Sequence, residues 1–331
     1  MKAARPRSHR WWLALSVLPA LIGASLLVLV VAPELQTRHS WLAMAASFAP
    51  YGWLAWLLAA VMALCAARGR TRLGAAALAA GLVVHTGILW PYLPMSASAV
   101  AGSRPTLSVL AINLRFGLAD LPELSAAVNR FDPDIVVATE VTTRDAEAFR
   151  KDAWTRRLPH QAGRPGRDFD HAVAKGDASG TMVLSRYPVS EISPIENMTF
   201  TNLSVRVAAG KQDVTLIAAH PVNPVYGTQK WLRDGQLLAL EAARSTAGPL
   251  IVAGDLNATA EHITLRNLLA RARLNEATQG WLATYPANRA YPPLIQIDHI
   301  LTSDGFSTLD QDTVQIGGTD HLGLFARLAL R

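Results

Sequence analysis

Apolar residues follow two different patterns along this chain, and the boundary lies near residue 100. Before it, Trp11–Ala32, Trp41–Ala66 and Leu73–Met95 are apolar runs with no Asp, Glu, Lys or Arg inside them. Each reaches about twenty residues, enough to cross a bilayer core of about 30 Å at a helical rise of 1.5 Å per residue. Trp11, Trp12, Trp41, Trp90 and Tyr92 stand near the run ends, where amphipathic rings favour the headgroup region. The pattern predicts a membrane domain over 1–95 with three transmembrane helices, about 11–32, 41–66 and 73–95. A cleaved signal peptide would be shorter in its apolar part and would not be followed by two more such runs. The one ionisable group deep in a run, His85, has no acidic partner there and is expected to face the helix bundle as a neutral group.

After residue 96 the period shortens. Residues 96–105 are rich in Ala, Ser, Gly and Pro and read as a linker. Short apolar runs suited to strands follow at Leu107–Ile112, Ile135–Ala138, Thr181–Leu184, Leu203–Val207, Val214–Ala219, Leu250–Ala253, Ile295–Leu301 and Leu322–Leu328. Helical periodicity lies between some of them, at Leu121–Arg130, Thr143–Arg150, Thr228–Ser245 and His262–Ala270. Several strands succeed one another without a helix, so the domain 106–331 is expected to be α/β with mixed sheets and outer helices. The polar stretch Arg156–Ala178 reads as a long surface loop.

Charge sharpens this division. The formal net charge is +6, yet residues 1–100 hold eight of the 31 Lys+Arg and only Glu34 of the 25 acidic residues. The second domain is therefore nearly balanced, and the basic excess reports topology rather than a nucleic-acid footprint. Lys2, Arg5, Arg7 and Arg10 precede the first run and Arg68, Arg70 and Arg72 fill the second loop. The positive-inside rule then places the amino terminus in the cytoplasm and, after three crossings, the second domain outside. The only cysteine is Cys65, within an apolar run. A thiol nucleophile, a cysteine zinc site and a disulfide are thereby excluded from the second domain.

The chemistry sits where strands end. Ile251–Ala253 runs into Gly254-Asp255-Leu256-Asn257, which brings a carboxylate and an amide to the same side of an extended backbone. Asn113 closes Leu107–Ile112, Thr139-Glu140 follow Ile135–Ala138, and His220 follows Val214–Ala219. Asp298-His299 follow Ile295–Ile297, and Thr319-Asp320-His321 open the last strand. Oxygen donors and imidazoles without a thiolate suit Mg²⁺ or Mn²⁺ better than structural zinc. Metal-assisted attack of water on a phosphoester is the chemistry implied.

In this order the motifs resemble the endonuclease/exonuclease/phosphatase superfamily, the group that contains DNase I. The resemblance rests on Leu110-Ala-Ile-Asn113, Asp134-Ile-Val-Val-Ala-Thr-Glu140, Gly180-Thr-Met-Val-Leu-Ser-Arg-Tyr-Pro188, Ala219-His-Pro221, Gly254-Asp-Leu-Asn257, Ile297-Asp-His-Ile300 and Thr319-Asp-His321. It implies a four-layer sandwich, two packed mixed β-sheets flanked by helices. It also implies Glu140 as principal metal ligand with Asn113 beside it and Asp320 completing the metal environment. Asp255 would deprotonate the attacking water, with Asn257 fixing it. His220 and His321 would face phosphate oxygens, and Asp298 would orient His321. Arg186 is a candidate for substrate binding. Ser185 lacks a nucleophile elbow and reads as a turn residue. His299 is expected to pack away from Asp298, and His160 and His171 receive no role. The family's phosphate-facing tyrosine, between the Glu and His motifs, is left unfilled, because Tyr187 is the only tyrosine there and belongs to another motif.

The expected function is a divalent-metal phosphoester hydrolase in a bacterial inner membrane, with its catalytic domain periplasmic or extracellular. Lipid-linked phosphate at the bilayer is the expected substrate. A nuclease acting on DNA or RNA outside the cytoplasm is the alternative and would call for a basic groove. A silent membrane sensor or scaffold would be expected to lack one of Glu140, Asp255, Asn257 or His321, and none is missing.

Overall fold

The structure, a computed structural model, describes residues 10–66, 71–88, 92, 105–168, 170, 176–210 and 212–330. Lys2, Arg5, Arg7, Arg68, Arg70, His171 and the linker before Pro105 lie outside the described residues. The chain divides into two units, Met1–Leu93 with Glu261–Ile263, and Pro94–Ala260 with Thr264–Arg331.

The first unit holds helices α1 (Arg10–Val31), α2 (Ser40–Ala46), α3 (Gly52–Ala66) and α4 (Thr71–Ile88). Among the described residues one helix is long and apolar enough to cross a membrane, over Ala14–Val31. This corrects the expectation of three such helices. The second apolar run is broken: a 3₁₀ turn at Ala49–Tyr51 follows α2, and the two helical pieces meet at 53°. Pro50 supplies the reason, since it lacks an amide N–H and its ring collides with the preceding turn. Counted as one broken span, that pair would raise the number to two. Among the described residues of α4, the apolar helix is Leu78–Ile88, about 16 Å of helix.

In the second unit the strands are β1 (Thr106–Asn113), β2 (Ile135–Thr139), β3 (His160–Arg164), β4 (Thr181–Ser185), β5 (Val189–Pro194) and β6 (Leu203–Ala209). They continue as β7 (Gln212–Ala218), β8 (Leu250–Asp255), β9 (Asn275–Glu276), β10 (Asp298–Thr302), β11 (Phe306–Val314) and β12 (Gly323–Leu330). Four helices complete it, α5 (Leu121–Phe131), α6 (Thr143–Lys151), α7 (Thr228–Arg244) and α8 (Ile263–Ala272). One sheet runs β11-β12-β1-β2-β4-β3 and the other β5-β6-β7-β8-β10-β9. Each is mixed, with one parallel pair at its centre, β1 with β2 and β7 with β8.

Side-chain alternation explains the four layers. In β1, Leu107, Val109 and Ala111 share a core with Val205, Leu216, Ile251 and Ile300 of the other sheet. The alternate residues Leu110 and Ile112 face Leu124, Val128, Phe131 and Phe149 of α5 and α6. Ile217 and Val252 likewise pack on Leu238, Ala239, Leu265 and Leu268 of α7 and α8. These strands are apolar on both faces because each sheet is covered twice. Local signals fix the helices: Asp120 caps α5 by accepting from the Glu123 amide, and Thr142 with Asp145 forms a capping box on α6. The expected loop 156–178 is not all loop, since β3 pairs there with β4. Of the β3 side chains only Ala162 is buried, so an edge strand left little apolar trace.

Candidate active site

Topology gathers the polar strand ends at one edge of the sandwich. Asn113, Glu140 and Asp255 lie at or just beyond the carboxyl ends of β1, β2 and β8, and His220 stands two residues after β7. β10 and β12 run antiparallel to β8 and β1, so their starts arrive at the same edge: Asp298 pairs in register with Asp255, and His321 stands two residues before β12. Gly254 makes the close crossing possible. Its φ is +139°, and a Cβ there would lie 2.2 Å from the Ala219 carbonyl oxygen.

Asn113 ties the group together. Its Nδ2 donates to Glu140 Oε1 at 3.1 Å and to Asp255 Oδ2 at 2.9 Å, while its Oδ1 accepts from the Arg115 amide at 2.8 Å. Glu140 Oε2 accepts from the Phe116 amide at 2.9 Å. Asp255 Oδ1 accepts from the Asn257 amide at 2.8 Å. His220 Nε2 lies 3.7 Å from Asp255 Oδ2 and 3.8 Å from Glu140 Oε1. His321 Nε2 lies 3.7 Å from Asp255 Oδ2, and its Nδ1 donates to Asp298 Oδ2 at 2.8 Å. Four of the eight described non-glycine residues with positive φ are here, Arg115, Phe116, Glu140 and Asn257. Each such conformation costs on the order of 1–3 kcal/mol and persists only where surrounding contacts impose it; here the Asn113, Glu140 and Asp255 hydrogen bonds do so.

Electrostatics divides the titratable groups. Burial raises the Glu140 carboxyl, against the opposing Asn113 hydrogen bond. Burial also raises Asp255, with Asp298 adding to it and His321 opposing. Burial lowers His220, so its ring is neutral. Burial opposes the His321 cation too, but Asp298 and Asp255 outweigh it and push its pKa up to about 10. The site thus pairs one neutral imidazole and one imidazolium with carboxylates that repel one another.

That arrangement fits a divalent cation. Oxygens of Glu140 and Asp255 and a nitrogen of His220 lie within 4.8 Å of one another, and Asp255, Asp298 and His321 form a second such group. Burial raises Glu140 and Asp255, and a hard cation beside them would favour their charged forms. Asp320 belongs to neither group; its Oδ1 lies 3.6 Å from Arg115 Nε.

Other expected residues sit elsewhere or differ in partner. Arg186 is at the opposite end of the β2–β4 pair, with Nε 2.9 Å from Asp134 and NH2 3.0 Å from Asp132. Its amide donates to the Asp134 carbonyl at the start of β2, whereas Glu140 follows the end of that strand. This corrects its assignment to substrate. The Ser185 hydroxyl accepts from the Tyr187 amide, a turn contact. His299 is buried and does more than pack, bridging Glu276 at 2.5 Å and the Ala258 carbonyl at 2.8 Å. Asn257 Nδ2 is engaged by the Pro221 carbonyl at 3.0 Å.

Several site residues escaped the sequence. Tyr285 lies against His321 with ring centroids 5.1 Å apart, and Phe200 stacks on His220 at 4.8 Å. Asn202 holds the His220 backbone from both sides. None follows an apolar strand directly, so the strand-end signal passes over them. Arg115, two residues after Asn113, was within reach of that signal.

Residues 110–321 match the model of the endonuclease/exonuclease/phosphatase family. No match is found among curated proteins. Among solved structures, an endonuclease/exonuclease/phosphatase from Beutenbergia cavernae is similar at 21% identity and a TM-score of 0.53, over 69% of this chain and 72% of that one. A humanized D. rerio TDP2 is similar at 16% identity and a TM-score of 0.51, over 68% and 99%. A mannosyl-6-phosphatase of Bacteroides thetaiotaomicron is similar at 14% identity and a TM-score of 0.50, over 68% and 100%. At such identities the likeness is one of fold, whereas the family model spans the site from β1 to His321 and covers more than half of the chain. The chain belongs to the endonuclease/exonuclease/phosphatase family.

Proposed function

We propose that this protein is a divalent-metal-dependent phosphoester hydrolase anchored by its N-terminal apolar helix. The observation that carries the reading is the hydrogen-bonded set Glu140–Asn113–Asp255, faced by a neutral His220 and a cationic His321. Glu140, with Asp255 and Asp320 nearby, would hold Mg²⁺ or Mn²⁺. When bound, the cation neutralises phosphate charge and acidifies water.

The protein's own groups supply the rest. Asp255, raised by burial, is a stronger base than an ordinary carboxylate and takes a proton from the attacking water. Asn113 and the Asn257 amide fix its two oxygens. His220 donates an N–H to a non-bridging phosphate oxygen. His321, held by Asp298, stabilises charge on the leaving oxygen and gives it a proton. Phosphate linked to a lipid is the proposed substrate class, supported by the apolar Ala14–Val31 helix and the nearly balanced charge of the second domain. The basic residues ahead of that helix support a cytoplasmic amino terminus and a catalytic domain outside the membrane.

The deciding experiment compares the detergent-solubilised protein with Asp255→Ala under Mg²⁺ and Mn²⁺. Substrates are plasmid DNA, RNA, a polyprenyl pyrophosphate, a phosphoinositide and sphingomyelin. Metal-dependent turnover of a lipid phosphate, lost in the variant, is expected. Equal traces for both proteins on every substrate would end the enzyme reading; turnover of nucleic acid alone would replace the lipid substrate.

A further inference from the structure

Arg115 is a cation beside the site that the mechanism above leaves unused. It follows Asn113 by two residues on a turn that cannot relax: the Arg115 amide is held by Asn113 Oδ1, and the next amide, of Phe116, by Glu140 Oε2. Both residues are left-handed, with φ of 47° and 56°. The two contacts that force this backbone are made by site residues themselves. The guanidinium is thereby carried to the loop before β12, where NH1 donates to the Gly318 carbonyl at 3.2 Å and Nε lies 3.6 Å from Asp320. Among the described residues, only the Gly318 carbonyl engages one of its five N–H donors in a hydrogen bond, and its side chain is 35% exposed. A distance of 3.6 Å is too long for a direct hydrogen bond, so Asp320 holds the cation only loosely.

Tyr285 meets the same loop at His321. Its segment is pinned there by Ala287 N to Asp320 O at 2.7 Å and Leu322 N to Thr284 O at 2.9 Å. The phenol is half-buried beside the His321 ring. Burial and Asp320 disfavour its ionisation, while Arg289 and Arg115 ease it, so these groups share one local field. The Tyr285 ring beside His321 and the Arg115 guanidinium beside Asp320 therefore meet the site at adjacent residues of one loop.

Charge decides what such a pair recognises. The site already holds Glu140, Asp255, Asp298 and Asp320, so a doubly charged phosphate needs more positive charge than a singly charged diester does. An arginine fork meets two phosphate oxygens at once. A long nucleic-acid backbone would instead call for a row of cations along the cleft, at odds with the domain's near-balanced charge. We propose that Arg115, assisted by Tyr285, binds the outer oxygens of a terminal phosphate, so that the substrate is a phosphomonoester or ends in pyrophosphate. This rests on the phosphoester-hydrolase reading and narrows it.

The test uses the full chain with Mn²⁺ and two matched esters, p-nitrophenyl phosphate and methyl p-nitrophenyl phosphate. Binding of inorganic phosphate is measured separately by calorimetry. Arg115→Ala is expected to lower the monoester-to-diester ratio of kcat/KM about tenfold, mainly through KM, and to weaken phosphate binding by a similar factor. Arg115→Lys is expected to recover part of both, since it keeps the charge and loses the fork. Equal losses on the two esters, or unchanged phosphate binding in a variant with wild-type melting, would overturn the proposal. Wild-type protein that hydrolyses neither ester would count against the hydrolase reading, and the phosphate titration would still judge Arg115.

Discussion

Replacing Asp298 with Asn isolates one interaction of the site. Asp298 is fully buried and accepts from His321 Nδ1 at 2.8 Å; the amide keeps the shape and removes the charge. A hydrogen bond to a charged group contributes about 1.5–3 kcal/mol, and each pKa unit corresponds to about 1.4 kcal/mol. The His321 pKa, about 10 in the native site, should therefore fall by about 1–2 units, with Asp255 at 3.7 Å still favouring the cation. Nitrogen-15 NMR of the histidine rings, titrated in metal-free protein, reads this directly. Turnover should fall by about two to four orders of magnitude, as expected for loss of a carboxylate that orients a catalytic imidazole. The sign for stability follows from the same shift. A histidine raised above its unfolded value of about 6.5 contributes fully below that pH, and the contribution disappears as pH rises toward 10. Native metal-free protein should lose stability over that window, and Asp298→Asn should show a weaker loss ending at lower pH. An unmoved His321 titration in a folded Asp298→Asn protein would refute the reasoning.

Three further outcomes follow from the same geometry. Glu140→Gln should weaken Mn²⁺ binding about 10–100-fold by calorimetry and largely abolish the rise in Tm that Mn²⁺ gives the wild type; unchanged affinity would remove Glu140 from the metal site. Gly254→Ala should destabilise the second domain by about 3 kcal/mol or more, because it combines a disfavoured φ with a backbone collision. Denaturant titration measures this, and a loss below about 1 kcal/mol would show that the β7–β8 crossing can relax. Arg186→Ala should leave kcat/KM within about twofold and cost at most about 1 kcal/mol of stability, the range of partly exposed ion pairs; a tenfold loss of turnover would place Arg186 back at the substrate.

Much of the second domain was written in local pattern. The eight strands predicted from apolar runs are interior to the two sheets, and each recurs as a strand. The four that were missed, β3, β5, β9 and β11, are the four sheet edges. The reason is burial. Interior strands are mostly buried and carry runs of apolar residues, while β5 has no buried residue and β3 has one. The membrane segment shows the reverse limit, for hydropathy located the apolar runs but not the break at Pro50.

The chemistry divides the same way. Strand-end residues were legible because an apolar run followed by Asn, Glu, Asp or His needs only the next residue to be noticed. Tyr285, Phe200 and Asn202 were not, since their relation to His321 and His220 exists only after two sheets have packed. Arg186 shows the converse: a basic residue within a family motif proved to be at the end of the β2–β4 pair away from the site, because strand direction, not sequence distance, decides which end faces it. Sequence alone determined the interior strands and the donors at their ends, as burial acts locally. Tertiary structure decided which donors share a proton or a charge, because Asn113 and Asp255 meet only when the two sheets pack, and His321 and Asp298 join them through the antiparallel return of β12 and β10.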